Sequence, residues 1–449
     1  MDGYRTLLLT ATVFLWNVFG SSAGEAENVY TLNDCIRIGL ERNESVANAR
    51  RDKAIAVARI GQARSAALPQ LSLSATYTRL DELQTIEFGD EEMKLGTLDN
   101  YSANLGVSQL LYSGGKVGAA LRAASLAESQ AEWACSEIES AFKRDVRLAF
   151  YNLLLADAAL SVTEDSVKQL ESLLEQTERR RKNGTASEFD ELRARVRVAN
   201  ERPRLVKARN ARAVAREYMK RLLNFDDKEI ELRGELEMNA SEPDEEYLQG
   251  RAMLNRPALR AMEFSVDLRK ENVTAARSDG LPSLSAQFNY NGANAYEFVS
   301  YEDDWDWHWN AGLVVSWNFW DGGLTEATVR ARRLEAEKAL ASLDEMRKNV
   351  KLEVKRYCLD LKHAREAVAA SRGTVALAEK AMKIAETRHE EGLATYLEFT
   401  DANLALSTAK LTWLQALHAH MTALAQLQFA CGTEKLSAEA WNRGKNDDR

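Results

Sequence analysis

Two periods run through this chain. Between residues 142 and 174 apolar positions return in alternating steps of four and three: Phe142, Val146, Ala149, Leu153, Ala156, Leu160, Val167, Leu170 and Leu174, with Thr163 the one polar member. Steps that average three and a half predict a helix whose seam packs on a partner with coiled-coil geometry. The other period is two. Trp305, Trp307, Trp309, Ala311, Leu313, Val315, Trp317 and Phe319 alternate with Asp306, His308, Asn310, Gly312, Ser316 and Asn318, and Val314 breaks the pattern. Leu71, Leu73, Ala75 and Tyr77 alternate in the same way, as do Leu284, Ala286, Phe288 and Tyr290. A fourth run, Ala103, Leu105, Val107, Gln109 and Leu111, has one polar member. These runs predict four strands, apolar and aromatic on one face and small and polar on the other.

Both patterns occur twice. Tyr112-Ser113-Gly114-Gly115 returns 208 residues later as Trp320-Asp321-Gly322-Gly323. Asp145-Val146-Arg147 returns as Glu353-Val354-Lys355, and Gly184 as Gly392, at the same offset. Leu68-Pro69 and Leu281-Pro282 are 213 apart, so a loop of different length lies between these blocks. The chain therefore divides into two copies of one unit. The expected division is a signal peptide over 1–24, short helices over 25–68, a β-hairpin over 69–113 and a long helical hairpin over 114–224. An inter-repeat segment over 225–256 and a short leading helix over 257–281 follow. The second copy continues with a β-hairpin over 282–321 and a helical hairpin over 322–432, and a tail covers 433–449. No Gly or Pro interrupts residues 119–183, so the first long helix is expected to reach about 100 Å at 1.5 Å per residue. Pro203 predicts a kink in the helix that follows; its counterpart is Leu411.

Composition narrows the function. With 59 basic and 68 acidic residues the net charge is −9, which disfavours a nucleic-acid partner. Arg5, the apolar run from Leu7 to Phe19 and the small residues Ser21 to Gly24 read as an export signal. No later stretch is expected to supply a membrane-crossing helix, so any membrane insertion falls to the strands. The histidines, His308, His363, His389, His418 and His420, do not gather with Ser, Cys or Asp in a catalytic or metal-binding pattern. No enzyme, cofactor or metal is expected. Cys35, Cys135, Cys358 and Cys431 read as packing residues of helices; a disulfide is open in an oxidising compartment, and spacing does not pair them.

Aromatic-ringed alternating strands describe a barrel wall in lipid. On that reading Trp305, Trp307, Trp309, Trp317 and Phe319 face lipid, and the acidic stretches 81–100 and 300–306 are external loops. Four strands cannot close a membrane channel, and an open sheet edge leaves backbone groups unsatisfied in hydrocarbon, so several copies must contribute.

The repeated Leu-Pro-x-Leu-Ser at Leu68 and Leu281, the aromatic-x-Gly-Gly at Tyr112 and Trp320, and Gly392 to Ala402 carry a resemblance. So does Asn255-Arg256-Pro257-Ala258-Leu259. The chain resembles the TolC-like outer-membrane efflux proteins along nearly all of its mature length. The resemblance implies a mostly α fold, with duplicated long helical hairpins forming a periplasmic helical barrel. Four strands per chain would join a 12-stranded barrel in the outer membrane of a Gram-negative bacterium. It implies a homotrimeric exit duct for efflux or type I secretion, docked to a periplasmic adaptor (a membrane fusion protein) and an inner-membrane pump. Glu398 and Asp401 match the family's acidic pair near the tip, where rings of carboxylates favour cations. Asp190 matches the acid of the closing network, and His389 stands where the family often has a tyrosine that meets it. This leads to the expectation that His389 pairs with Asp190 and lets go at alkaline pH. Ala394 stands where an arginine is common, which puts the usual lock in doubt. The competing class is a periplasmic adaptor, which would carry one helical hairpin and compact soluble β domains.

Overall fold

The computed structural model describes residues 29–88, 91–225, 230–238, 243–294, 305–391 and 393–433. The export signal, residue 392 and most of the tail, where several expectations fell, lie outside the described residues. In chain order, β1 (Val29–Tyr30) leads into α1 (Leu32–Arg42) and α2 (Glu44–Ser65). Next come β2 (Gln70–Arg79), a small pair β3 (Gln84–Phe88) and β4 (Glu91–Leu95), and β5 (Asp99–Tyr112). α3 (Lys116–Lys182) and α4 (Glu188–Leu223) form the first hairpin. β6 (Glu231–Leu232), α5 (Glu245–Asn255) and α6 (Pro257–Ser278) join the copies. β7 (Ser283–Ala293), β8 (Asp306–Ser316), α7 (Leu324–Glu390) and α8 (Tyr396–Ala430) complete the second copy. Both long helices, α3 and α7, have 67 residues, and their starts and ends stand at the 208-residue offset.

Local chemistry sets these boundaries. Gly115 and Gly323 begin α3 and α7 with φ of 89° in each case, a region costly for any residue with a Cβ. Gly114 must also be bare, because a Cβ there would lie 2.7 Å from the Cβ of Leu281. Ser187 caps α4 through a reciprocal box with Asp190, and Thr395 accepts from the Glu398 amide to cap α8. α4 runs unbroken through Pro203.

Four strands form one antiparallel sheet in the order β2-β5-β7-β8, so β2 and β8 are its edges. The long helices follow the order α4-α3-α8-α7, because α3 meets both α4 and α8 while α7 meets α8. Two equivalent cores sit where the short helices wrap the hairpins. In the first, Phe142, Val146 and Leu153 of α3 pack with Cys35 of α1, Val46 of α2 and Leu223 of α4. In the second, Val350, Val354 and Leu361 of α7 pack with Leu248 of α5, Leu259 of α6 and Leu427 of α8. The seam residues of the two cores are again 208 apart.

Three features depart from the sequence reading. The acidic stretch 81–100 is not plain loop, for β3 and β4 pair antiparallel within it. β1 and β6 pair in parallel and tie the start of one copy to the end of its hairpin. One window of α3 is apolar enough by length and composition to cross a membrane. α3 is instead the central long helix, packed on α2, α4, α6 and α8.

Candidate functional site at the hairpin tips and the barrel wall

The first tip is rich in arginine. Glu191 of α4 is buried, and its carboxylate takes Arg181 at 2.5 Å and Arg195 at 2.7 Å. Arg195 also reaches Glu178 at 3.2 Å, closing the end of α3 on the start of α4. The Arg181 hydrogen bond holds the Glu191 carboxyl below its ordinary range. Spacing alone did not single out this network. The signal was the run Glu178-Arg179-Arg180-Arg181-Lys182 set opposite the acids that open α4.

The expected pairing of His389 with Asp190 is not made. Asp190 turns back on its own helix start and accepts from the Ser187 amide at 3.2 Å and hydroxyl at 2.6 Å. Those bonds hold its carboxyl low. His389 is buried, 6% exposed, with its ring 5.6 Å from Phe399 and Nδ1 3.4 Å from the Ala394 carbonyl. It shares a small cavity with Gln169, Ser172 and Gln176 of α3. Burial pushes its pKa below the ordinary value, which disfavours the protonated partner expected. The two tips are tied elsewhere. Arg180 at the end of α3 donates to the His389 backbone carbonyl at 3.1 Å. Lower down, Ser166 of α3 donates to buried Asn403 of α8 at 2.9 Å, and Asn403 bonds Gln169.

Glu398 and Asp401 lie in the first turns of α8, and both are exposed. Among the described residues neither enters an ion pair. Asp401 borders a groove of about 440 Å³ shared with Ser371 and Thr374 of α7 and Leu404 of α8.

The sheet separates its faces as the alternation demands. Leu73, Leu105, Tyr290 and Trp309 stand in one cross-strand row, and Leu71, Val107, Phe288 and Ala311 in the row two residues away. On the other face the rows are Ser74, Asn104, Asn291 and His308, then Ser72, Gly106, Asn289 and Asn310. Amides bridge this polar face, Asn104 to Asn291, and Asn289 to Asn310 at 3.1 Å. The apolar face is bare. Leu73 is 77% exposed, and Trp309, Leu313 and Val315 are each more than three-fifths exposed. Trp307 stacks on Tyr290 at 5.1 Å and on Trp305 at 5.6 Å, and it occupies the space over Gly292. The alternation continues to Phe319, but the ladder stops at Ser316. Its partner Ser283 opens β7, and the preceding Pro282 has no amide hydrogen to extend the pairing. Beyond it the Trp317 indole Nε1 donates to the Gly280 carbonyl at 3.1 Å. Ten residues separate Trp307 from Trp317. At roughly 3.3 Å per residue and a tilt near 40° that spans about 25 Å, the height of a barrel's apolar band. Gln109, the polar break in its strand, uses its amide to bond the Ala67 carbonyl at 3.1 Å.

A sheet with a bare apolar face, aromatics at both ends and two coiled hairpins behind it defines a subunit of an outer-membrane duct. The match to the outer membrane efflux protein family covers residues 36–224 and 248–433, and the chain belongs to that family. It is 24% identical over 417 residues to the outer membrane protein TolC of Vibrio cholerae, with 92% of each chain covered. It is 23% identical over 427 residues to TolC of Escherichia coli, covering 92% of this chain and 84% of the relative. The fold matches the outer membrane protein VceC of Vibrio cholerae with a TM-score of 0.74 at 18% identity, over 90% of this chain and 96% of that one. The protein is thus an exit duct of an efflux system in the outer membrane of a Gram-negative bacterium, with a long helical extension into the periplasm. Channels of this family work as trimers with an adaptor and an inner-membrane pump, and the family is one of channels rather than enzymes.

Proposed function

We propose that three copies close into one 12-stranded barrel and one 12-helix tunnel, with the hairpin tips as the narrowest point. The carrying observation is the pair of unpaired sheet edges, β2 and β8, in a sheet whose apolar face is exposed. Joining β8 of one copy to β2 of the next satisfies both edges at once. The helices favour the same closure. α4 and α7 are the outer members of the row and expose seams: Phe189, Leu192, Val196 and Val206 on α4, and Leu352, Leu359, Leu377 and Ile384 on α7. Trp305, Trp307, Trp309, Trp317 and Phe319 then contact lipid, and the asparagine-rich face lines the pore.

At the tips, Glu398 and Asp401 repeat threefold as rings of carboxylate in the bore, with a preference for cations over anions. Asp190 and His389 act in shaping the tip rather than in bonding each other. A periplasmic adaptor and an inner-membrane pump of the tripartite type complete the path, with efflux or type I secretion as its use. An adaptor role for this chain is disfavoured by its two hairpins and lipid-facing sheet. Single-channel recording in planar bilayers tests this reading. A small cation-preferring conductance that loses its preference in Glu398→Ala and Asp401→Ala is expected. A chain that forms no pores and fractionates as a soluble protein would overturn it.

A further inference from the structure

The second copy brings two cysteines of the chain to one place. Cys358 of α7 and Cys431, the residue that ends α8, are both free thiols buried in the same apolar cluster. The hairpin register sets them opposite each other. Glu379 of α7 and Lys410 of α8 pair across the hairpin at 3.6 Å. Cys358 stands 21 residues before Glu379 and Cys431 stands 21 after Lys410, three heptads in each direction. In an antiparallel coiled hairpin, equal heptad steps from a facing pair lead to another facing pair. The first copy follows the same rule. Glu171 and Arg202 pair at 3.2 Å, and three heptads away Phe150 and Leu223 share one core cluster. Leu248 and Ala252 of α5 share that cluster with both cysteines, and Cys431 Sγ lies 3.8 Å from the Leu248 carbonyl.

We propose that Cys358 and Cys431 are a disulfide site, oxidised during export to staple the base of the second helical hairpin. The other cysteines are placed apart. Cys35 belongs to the first core cluster, and Cys135 sits on α3 beside Lys53 and Glu139. The reaction is an exchange with a dithiol–disulfide oxidant of the periplasm. One thiolate of this chain attacks the oxidant's disulfide, forming a mixed disulfide and expelling an oxidant thiolate. The second thiolate attacks the mixed disulfide at this chain's sulfur and expels the other. The chain loses two protons and two electrons, and the oxidant leaves as its dithiol. The exchange belongs to the chain before it packs, because burial in the finished fold pushes both thiols up to about 12 and silences them as nucleophiles.

The test is a thiol count on full-length protein taken from outer membranes, denatured without reductant and alkylated with iodoacetamide. Two of the four cysteines are expected to be alkylated, and the peptides holding Cys358 and Cys431 should emerge joined, separating on reduction. Cys35→Ser should leave one alkylated thiol, and Cys431→Ser should leave three. Peptide mapping of the unaltered chain decides the matter even if a variant fails to assemble. Four alkylated thiols, or a joined peptide containing Cys35 or Cys135, would overturn the assignment.

Discussion

The two hairpins share a length and a register but not a chemistry. α4 carries sixteen charged residues among 36, whereas α8 carries three among 35. The first hairpin is laced by a ladder at heptad spacing: Arg195 to Glu178, Arg202 to Glu171 and Arg209 to Glu164, each at 3.2 Å, with Arg212 bonding Asp157 below them. Of the equivalent positions in the second hairpin, Lys410 and Glu379 still pair by charge. Leu417 and His420 occupy two of the others, both buried. Both copies rest on an apolar core, and the first adds a surface charge ladder where the second places buried side chains. The difference has a place in the fold. α4 is an outer helix of the row, and α8 is an inner one covered by α3 and α7.

Experiments can sharpen this contrast, and the largest effect is expected at the joint between the copies. Arg256 is buried and bonds Glu137 of α3 at 3.1 Å and the Phe429 carbonyl at 3.0 Å, with its guanidinium 4.0 Å from the Phe429 ring. Arg256→Ala takes the cation from Glu137, leaving it the Ala258 amide, and should cost about 3–5 kcal/mol, read as a fall in the denaturant midpoint. Leu427→Ala opens a cavity in the second core. It should cost about 2–5 kcal/mol with little dependence on salt.

The tips come next. Arg180→Ala removes the bond to the His389 carbonyl, and single-channel conductance should rise several-fold if that contact holds the tips together. Protonation acts at the same place. The folded pKa of His389 is depressed, so between that value and the unfolded value near 6.5 the unfolded chain binds more protons. Stability is therefore full above about pH 6.5 and is lost as pH falls toward the folded pKa. His418 and His420 are shifted the same way by burial. Melting temperature should drop on acidification, and His389→Asn should flatten part of that slope. The smallest effect is reserved for the ladder. Arg202→Gln should cost well under about 1 kcal/mol, and the loss should fade at high salt. If Arg202→Gln proved as costly as Leu427→Ala, the contrast between the hairpins would fail.

What the sequence disclosed follows the same physics. The repeat, the heptad seams and the barrel strands are periodic and local, and such signals survive in a linear string. Trp317 and Phe319 kept the alternation but left the ladder, because the limit was set by a proline on the partner strand. β3 and β4 were hidden among acids, and β1 with β6 is too short to have a period at all. The tip network was the least legible part. Whether Asp190 faces His389 or its own helix start depends on a capping serine three residues before it. Whether His389 is wet or dry depends on where α3 and α8 lie around the end of α7. No spacing within one helix encodes either fact.

The two copies in one chain also bear on how such a duct can change. A ring built from a single-copy gene would have to alter every position at a given level together. In the ring proposed above, a codon in the second copy would alter every other helix pair and leave its neighbours as they were. Half of the ring can drift toward new cargo or a new docking partner while the other half preserves the curvature. The arginine-laced hairpin and the apolar one already differ in this way within a single chain.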